Sequence, residues 1–271
     1  MTGSGPSCYL KLGTIVFLVA AYIAVSLPLF PVIFLSPFKY RQANAFLVSF
    51  FSKQLLSVLG FQIDFQSRHP RLKGNFFIAA NHLSYLDVLV LSAYFPGCFV
   101  TSMEIRHTPF LGNLTLLAGC LFVERRSREF LDMETGNISL ALRNGLSVII
   151  FPEGTSTNGD RVRRFRQPLF QAAVEAGVSI LPVSISYTRI NGAPVTALNR
   201  DRLFWYADMT FARHFTGLGG IHDAAAVLHA GTPIPPCPVK GCAGLSADAH
   251  AVVQENYIPV STADPALSCA Q

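Results

Sequence analysis

The apolar positions of this chain fall into two regimes. Residues 12–38 carry no charged side chain, a run longer than the roughly 20 apolar residues that a bilayer-spanning helix needs. Pro28 and Pro31 lie inside the run and kink or end the helix, so the segment either spans once or bends back into the same leaflet. A cleaved signal peptide is the competing assignment, but the run is long and its leading flank carries only Lys11. Residues 41–59 follow as an amphipathic helix with Phe46, Val48, Phe50, Phe51, Leu55, Leu56 and Leu59 apolar. It can lie on a bilayer or pack on a domain, and Gly60 ends it.

Past residue 60 the pattern changes to short apolar runs alternating with helical stretches. Residues 76–80, 98–101, 120–123, 147–151, 179–187 and 225–228 read as strands, with 147–151 the most strand-like. Between them, 84–94, 108–118 with Pro109 at its first position, 128–144 stopped by Gly145, and 168–176 stopped by Gly177 read as helices. Residues 246–257 form a weaker helical pattern, and those after Pro259 a flexible tail. The alternation predicts an α/β domain with a largely parallel sheet flanked by helices, behind an N-terminal membrane-associated helical segment. The expected division is an anchor with its amphipathic helix over 1–60, the main domain over 61–240, and a C-terminal helix and tail over 241–271.

Composition supports the membrane assignment. Of 271 residues, 51% are hydrophobic and only 14% charged, with a mean hydropathy of +0.39, so one sizeable core leaves apolar residues over. The formal charge is +5 and the pI about 9.0, which suits an anionic surface or substrate. No basic, aromatic-interleaved motif or zinc-finger spacing supports nucleic acid. Lys39, Arg41, Lys53, Arg68, Arg71 and Lys73 follow the apolar run, and the positive-inside bias places the rest of the chain in the cytoplasm. The six cysteines are scattered without a C-x-x-C, as expected of reduced thiols in a cytosol-facing domain.

The candidate chemistry gathers at Asn81-His82-Leu83-Ser84-Tyr85-Leu86-Asp87, between the strand at 76–80 and the helix at 84–94. Ser84 is placed to cap that helix, and Asp87 sits in its first turn, where the dipole favours negative charge. Two residues five apart within one helix would face apart, but a histidine in the preceding turn can swing back to a first-turn aspartate. The pair then makes a dyad. Asp87 fixes the tautomer protonated on Nδ1, leaving Nε2 to take a proton from a hydroxyl. A capping serine, a dipole-complementing aspartate and a turn histidine account for the same residues structurally.

Two other strand ends carry polar residues. Glu124, Arg125, Arg126 and Arg128 follow Val123, while Pro152-Glu153-Gly154-Thr155-Ser156 follows Phe151 and leads to Arg161, Arg163, Arg164 and Arg166. Ligands of open α/β sheets gather at such strand ends, and arginines there offer forked donors to phosphate oxygens; a solvated charged face is the alternative. Other chemistry lacks its pattern. Gly154-Thr155-Ser156-Thr157-Asn158 misses the last glycine of a nucleophile elbow, no H-E-x-x-H or Walker loop occurs, and Gly217-Leu218-Gly219-Gly220 is loop punctuation. The run 203–209, with Trp205 beside Tyr206, fits core packing better than a membrane interface.

Four ordered blocks, Asn81-His82-x-x-x-x-Asp87, Gly119-x-x-Phe122-Val123-x-Arg125, Phe151-Pro152-Glu153-Gly154-Thr155 and Leu181-Pro182-Val183, together resemble the motifs of the glycerophospholipid (lysophospholipid) acyltransferase family. The resemblance covers roughly residues 60–235. It implies a catalytic dyad of His82 and Asp87, acceptor contacts from Phe122, Arg125, Glu153, Gly154 and Thr155, and an acyl-donor side near Pro182. It also implies a fatty acyl transfer from acyl-CoA or acyl carrier protein to a lysophospholipid hydroxyl, with 1-acyl-sn-glycerol-3-phosphate as acceptor and phosphatidic acid as product. No metal or other cofactor is called for. Membrane lipids and the lysolipid are the expected partners, and the cytoplasmic face of a bacterial inner membrane the expected location. Ser156 departs from the family pattern, since many phosphatidic-acid-forming members carry Arg there, which keeps a lyso-ornithine lipid or other lysolipid open as acceptor. Outside the enzyme class, the alternative is a catalytically silent membrane protein holding anionic lipid heads with its arginine loops.

Overall fold

The computed structural model describes residues 6–69, 72–124 and 130–260. The apolar N-terminus folds as α1 (Pro6–Ser26), a 3-10 turn at Leu27–Leu29, α2 (Val32–Leu35) and α3 (Pro37–Val58). Prolines set the breaks. Pro28 lies at the start of the 3-10 turn, Pro31 caps α2 and Pro37 opens α3, where a missing N–H removes no intrahelical bond. The chain thus doubles back and α3 packs along α1.

Both ends of α1 are tied down. Near its start the Lys11 ammonium donates to the Ile221 carbonyl at 2.5 Å, and Cys8 lies against Gly219. Near its end, Tyr22 and Ser26 donate to the side-chain oxygen of Asn44 on α3, whose amide nitrogen donates to the carbonyl of Leu117. Asn44 is fully buried, so these bonds satisfy a polar group that would otherwise be costly inside the fold.

After the hairpin come β1 (Phe61–Ser67), β2 (Phe77–Ala80), α4 (Leu86–Tyr94), β3 (Cys98–Ser102), α5 (Met103–Arg106), α6 (Leu111–Leu117), β4 (Leu121–Val123) and α7 (Leu131–Arg143). Then follow β5 (Val148–Ile150), α8 (Gln171–Ala176), β6 (Ile180–Ile190), β7 (Ala193–Pro194), α9 (Phe211–Gly217), β8 (Ala224–Ala230) and α10 (Gly241–Glu255). The sheet order is β1-β8-β6-β2-β5-β3-β4, with β7 paired to β6. From β6 to β4 every neighbour is parallel, and β8 runs antiparallel to β6.

At the centre, β2 is flanked by β5 and β6, pairing Phe77 with both Val148 and Ile180. All four of its residues are fully buried, and covering a side chain the size of Phe77 or Ile78 contributes about 1.5–3 kcal/mol. Helix α3 packs on α4, while α7, α8 and α10 gather around the turn at Pro168–Phe170. Helix α10 presents Leu245, Ala249 and Val253, four apart, to the core.

The structure departs from the sequence expectations at several places, among them α9, where no helix was expected, and the helix expected over 168–176, whose first turn is 3-10. Strand β1 was not anticipated, although Phe61, Ile63 and Phe65 alternate with polar residues, the signature of a half-exposed edge strand. The helix expected over 108–118 is two pieces, because Pro109 and Phe110, at φ 64°, form the turn between α5 and α6. Helix α10 begins at Gly241, five residues before the pattern suggested. The five described cysteines, Cys8, Cys98, Cys120, Cys237 and Cys242, are free thiols.

Candidate active site

The parallel ladder stops at Ala80, but the next residue continues it with its side chain. Asn81 donates to the Ile185 carbonyl at 3.0 Å and accepts from the Ile185 N–H at 2.8 Å. That clamp holds the chain at the carboxyl edge of β2 just before it turns into α4. His82 occupies the turn.

Its Nδ1 lies 2.8 Å from Oδ2 of Asp87, in the first turn of α4. The same oxygen accepts the N–H groups of Leu83 at 2.6 Å and Ser84 at 2.9 Å, and Oδ1 accepts the Tyr187 hydroxyl at 2.7 Å. Backbone N–H groups can only donate, so the carboxylate is an acceptor throughout and Nδ1 carries the hydrogen. Asp87 is fully buried, whereas the His82 side chain is 20% exposed, and among the described residues nothing bonds its Nε2. The imidazole lies flat on the Phe151 ring, with centroids 3.9 Å apart and planes at 13°. Phe151 directly follows β5, the parallel neighbour of β2, which is why the two rings meet.

The segment after β5 holds the backbone of His82 on both sides. Glu153 accepts the His82 N–H at 2.8 Å through Oε1 and the Arg163 N–H at 2.7 Å through Oε2, while the Thr157 N–H donates to the His82 carbonyl at 2.9 Å. Glu153 is buried, and burial pushes its carboxyl up to about 7 against the opposing pull of these two N–H groups. Its oxygens therefore join two loops. Gly154 stands at φ 79°, and a Cβ there would come within 2.7 Å of the Arg166 guanidinium carbon, so glycine lets the arginine lie across the backbone. Thr155 is exposed beside it, as are Arg161, Arg163, Arg164 and Arg166.

The remaining expected contacts are not brought to the dyad. Phe122 lies on β4, three strands from β2, or about 14 Å at the usual strand spacing, with the Arg106 guanidinium over its ring at 5.8 Å. Arg125 falls outside the described residues. Pro182 is buried within β6 opposite Ala79, and its carbonyl accepts the Gly231 N–H. What this fourth block does bring to the dyad is Tyr187, five residues on.

Ser84 is fully buried, and its hydroxyl accepts the Leu86 N–H at 3.3 Å. The N-cap position itself falls on Tyr85 and not on Ser84, and the buried Ser84 hydroxyl is poorly presented for attack on a substrate. An aromatic group closes one flank: the Trp205 backbone N–H donates to the Leu83 carbonyl, and Tyr85 packs against Trp205 and Phe211 while its hydroxyl meets His214 Nδ1 at 2.8 Å. Sequence reasoning singled out neither Tyr85 nor His214. Trp205 packs against protein, as the core assignment expected.

A family model described as acyltransferase matches residues 61–186. The chain is 33% identical over 220 residues to a lyso-ornithine lipid O-acyltransferase of Brucella abortus (strain 2308), covering 76% of this chain and 80% of that one. It is 32% identical over 135 residues to a 1-acyl-sn-glycerol-3-phosphate acyltransferase of Neisseria gonorrhoeae, covering 50% and 53%. In fold it matches the crystal structure of a 1-acyl-sn-glycerophosphate acyltransferase from Thermotoga maritima, with a TM-score of 0.57 over 91% of this chain and 96% of that one, at 20% identity.

Proposed function

The chain belongs to the acyltransferase family, and on that footing we propose that it transfers a fatty acyl group from a thioester donor to a lysolipid hydroxyl, with His82 as general base. The observation that carries this reading is an imidazole anchored through Nδ1 to a buried carboxylate, on a side chain that stays 20% exposed and whose Nε2 bonds to none of the described residues. As the acceptor oxygen attacks the thioester carbonyl, Nε2 takes its proton, and Asp87 stabilises the imidazolium. The tetrahedral intermediate collapses by breaking the carbon–sulfur bond. The imidazolium then returns its proton to the departing thiolate of coenzyme A or acyl carrier protein.

Both acceptors named among the relatives fit the arginines at the rim, because a phosphate monoester and the carboxylate of an ornithine headgroup each offer oxygens to a guanidinium. Lyso-ornithine lipid is placed first, on the likeness that spans most of the Brucella enzyme and on Ser156 standing where the Arg of the resembled pattern would be. The second reading, 1-acyl-sn-glycerol-3-phosphate, is favoured by Arg161, Arg163, Arg164 and Arg166 clustering on the loop that holds His82.

Helices α1 to α3 hold the enzyme to a membrane. Val16, Phe17, Phe34, Leu35, Phe46 and Phe50 are exposed on them, more apolar surface than a soluble face ordinarily shows. Lys11 bonds the Ile221 carbonyl, and Tyr22 reaches the Leu117 carbonyl through Asn44 of α3; these ties support a hairpin held within one leaflet, on the cytoplasmic side that the flanking basic residues favour.

The test is purified enzyme with acyl-CoA or acyl carrier protein thioester against both lysolipids. Lyso-ornithine lipid should give the higher kcat/KM, and His82→Ala should lower it for either acceptor by about 10²–10⁴-fold. Near wild-type turnover by His82→Ala would refute the general base, and a preference for 1-acyl-sn-glycerol-3-phosphate would select the second acceptor.

A further inference from the structure

Asp87 has two oxygens, and only one of them meets His82. Oδ2 serves His82 and two backbone N–H groups, all from its own turn. Oδ1 points the other way, across the sheet, and is held by a residue from an element 100 positions further on. Nothing about helix capping requires that second contact. A carboxylate with one oxygen unpaired in the interior would be costly, and it would also swing more freely about its side-chain bonds.

We propose that Tyr187 is a positioning residue of this centre: its hydroxyl, donated to Oδ1, fixes the rotation of the Asp87 carboxylate and draws off part of its charge, and so sets how strongly His82 takes up a proton. The proposal rests on His82 acting as the general base.

The placement is built rather than incidental. Tyr187 is buried on β6, with its ring edge-on to Phe61 of β1 at 5.9 Å and tilted against Phe204 at 5.6 Å. Beta-strand pairing fixes the height of the ring, since β6 runs parallel to β2 and the Asn81 clamp locks the two strands at Ile185, two residues earlier. Burial and the neighbouring Asp87 push the phenol well above its ordinary value, so it keeps its proton and remains a donor.

The other titratable or charged groups around the pair are engaged elsewhere. Glu153 takes the backbone N–H groups of His82 and Arg163, Tyr85 meets His214, and Tyr257 donates to the Gly159 carbonyl at 2.7 Å. Among the described residues only Tyr187 bonds Oδ1.

A carboxylate relieved of that donor holds more charge for the imidazolium. Tyr187→Phe should therefore raise the acidic limb of the kcat/KM profile by about 0.5–1 pH unit, since losing a hydrogen bond to a charged form favours neutralising that charge by its remaining partner. With the carboxylate less well aimed, kcat should fall by about 10–100-fold while the KM values for donor and acceptor stay near wild type. Phe61→Leu loosens the same ring without touching the hydroxyl, and should lower thermal stability with the limb unmoved. Site-specific 3-fluorotyrosine at position 187 keeps the ring and strengthens the donor, so the limb should move to lower pH even if Tyr187→Phe fails to fold.

A limb that stays in place in Tyr187→Phe and in the fluorotyrosine protein would overturn the proposal while leaving the general base standing. Loss of the limb's dependence on His82, measured as substantial activity in His82→Ala, would instead overturn the reading on which it rests.

Discussion

Glu153 shows how a residue can act on a site through the backbone. Its carboxylate is buried and gives one oxygen to the backbone of His82 and the other to that of Arg163, so its first effect is on the position of the histidine. The energetic cost of that placement can be read from pH. With the carboxyl held near 7 by burial, against 4.5 ordinarily, the folded chain keeps between those values a proton that the unfolded chain has released. Stability from this group is therefore full below about pH 4.5 and declines as pH rises through 7, by about 3 kcal/mol in all. Glu153→Gln lacks this titration, so the unfolding free energy of wild type minus variant should fall by that order between pH 5 and 8, measured by denaturant unfolding in detergent. A difference that is flat or grows with pH would show that the carboxyl is not held up. The sequence made His82 and Asp87 legible because their pairing needs only a local turn. The resemblance singled out Glu153, but its bonds to the backbone of His82 and Arg163 were not legible, because a motif reports which residues matter and not which atoms they meet. Tyr187 was hidden inside an apolar run, where an aromatic residue reads as packing.

At the scale of elements, long regular patterns were legible and local chain reversals were not. The strands at the sheet centre are continuous apolar runs, as expected of strands covered on both faces, whereas β1 at the edge is short of buried residues and went unseen. The break between α5 and α6 depends on Phe110 at positive φ, a conformation that side-chain periodicity cannot report. The helical hairpin carries its own test. Asn44 joins α1, α3 and the end of α6 through Tyr22, Ser26 and the Leu117 carbonyl. Asn44→Leu removes the shared partner and strands the buried groups, which should destabilise the fold by about 1–3 kcal/mol. Thermal unfolding in detergent should show the loss; a melting temperature unchanged from wild type would mean that the α1–α3 contact is held by apolar packing alone.

For the whole molecule, the central question is how the apolar hairpin meets the bilayer. Helix α1 has 21 residues and would just cross a hydrocarbon core of about 30 Å, yet both its ends contact the folded body. In a background stripped of other reactive thiols, Ser7→Cys and the distant, exposed Leu198→Cys should react with a membrane-impermeant maleimide from the same face of sealed inside-out vesicles. Reaction of Ser7→Cys from the opposite face only would make α1 a spanning helix. The largely parallel sheet also governs when an enzyme exists at all during synthesis. Strand β2, which aims His82, lies between β5 and β6, and the tyrosine that meets Asp87 comes from β6. At about 5–20 residues per second, translation from β2 to Tyr187 occupies on the order of ten seconds, during which β5 is made before β6 and the dyad lacks its tyrosine. The apolar hairpin is therefore free of the ribosome before the site that depends on β6 is complete.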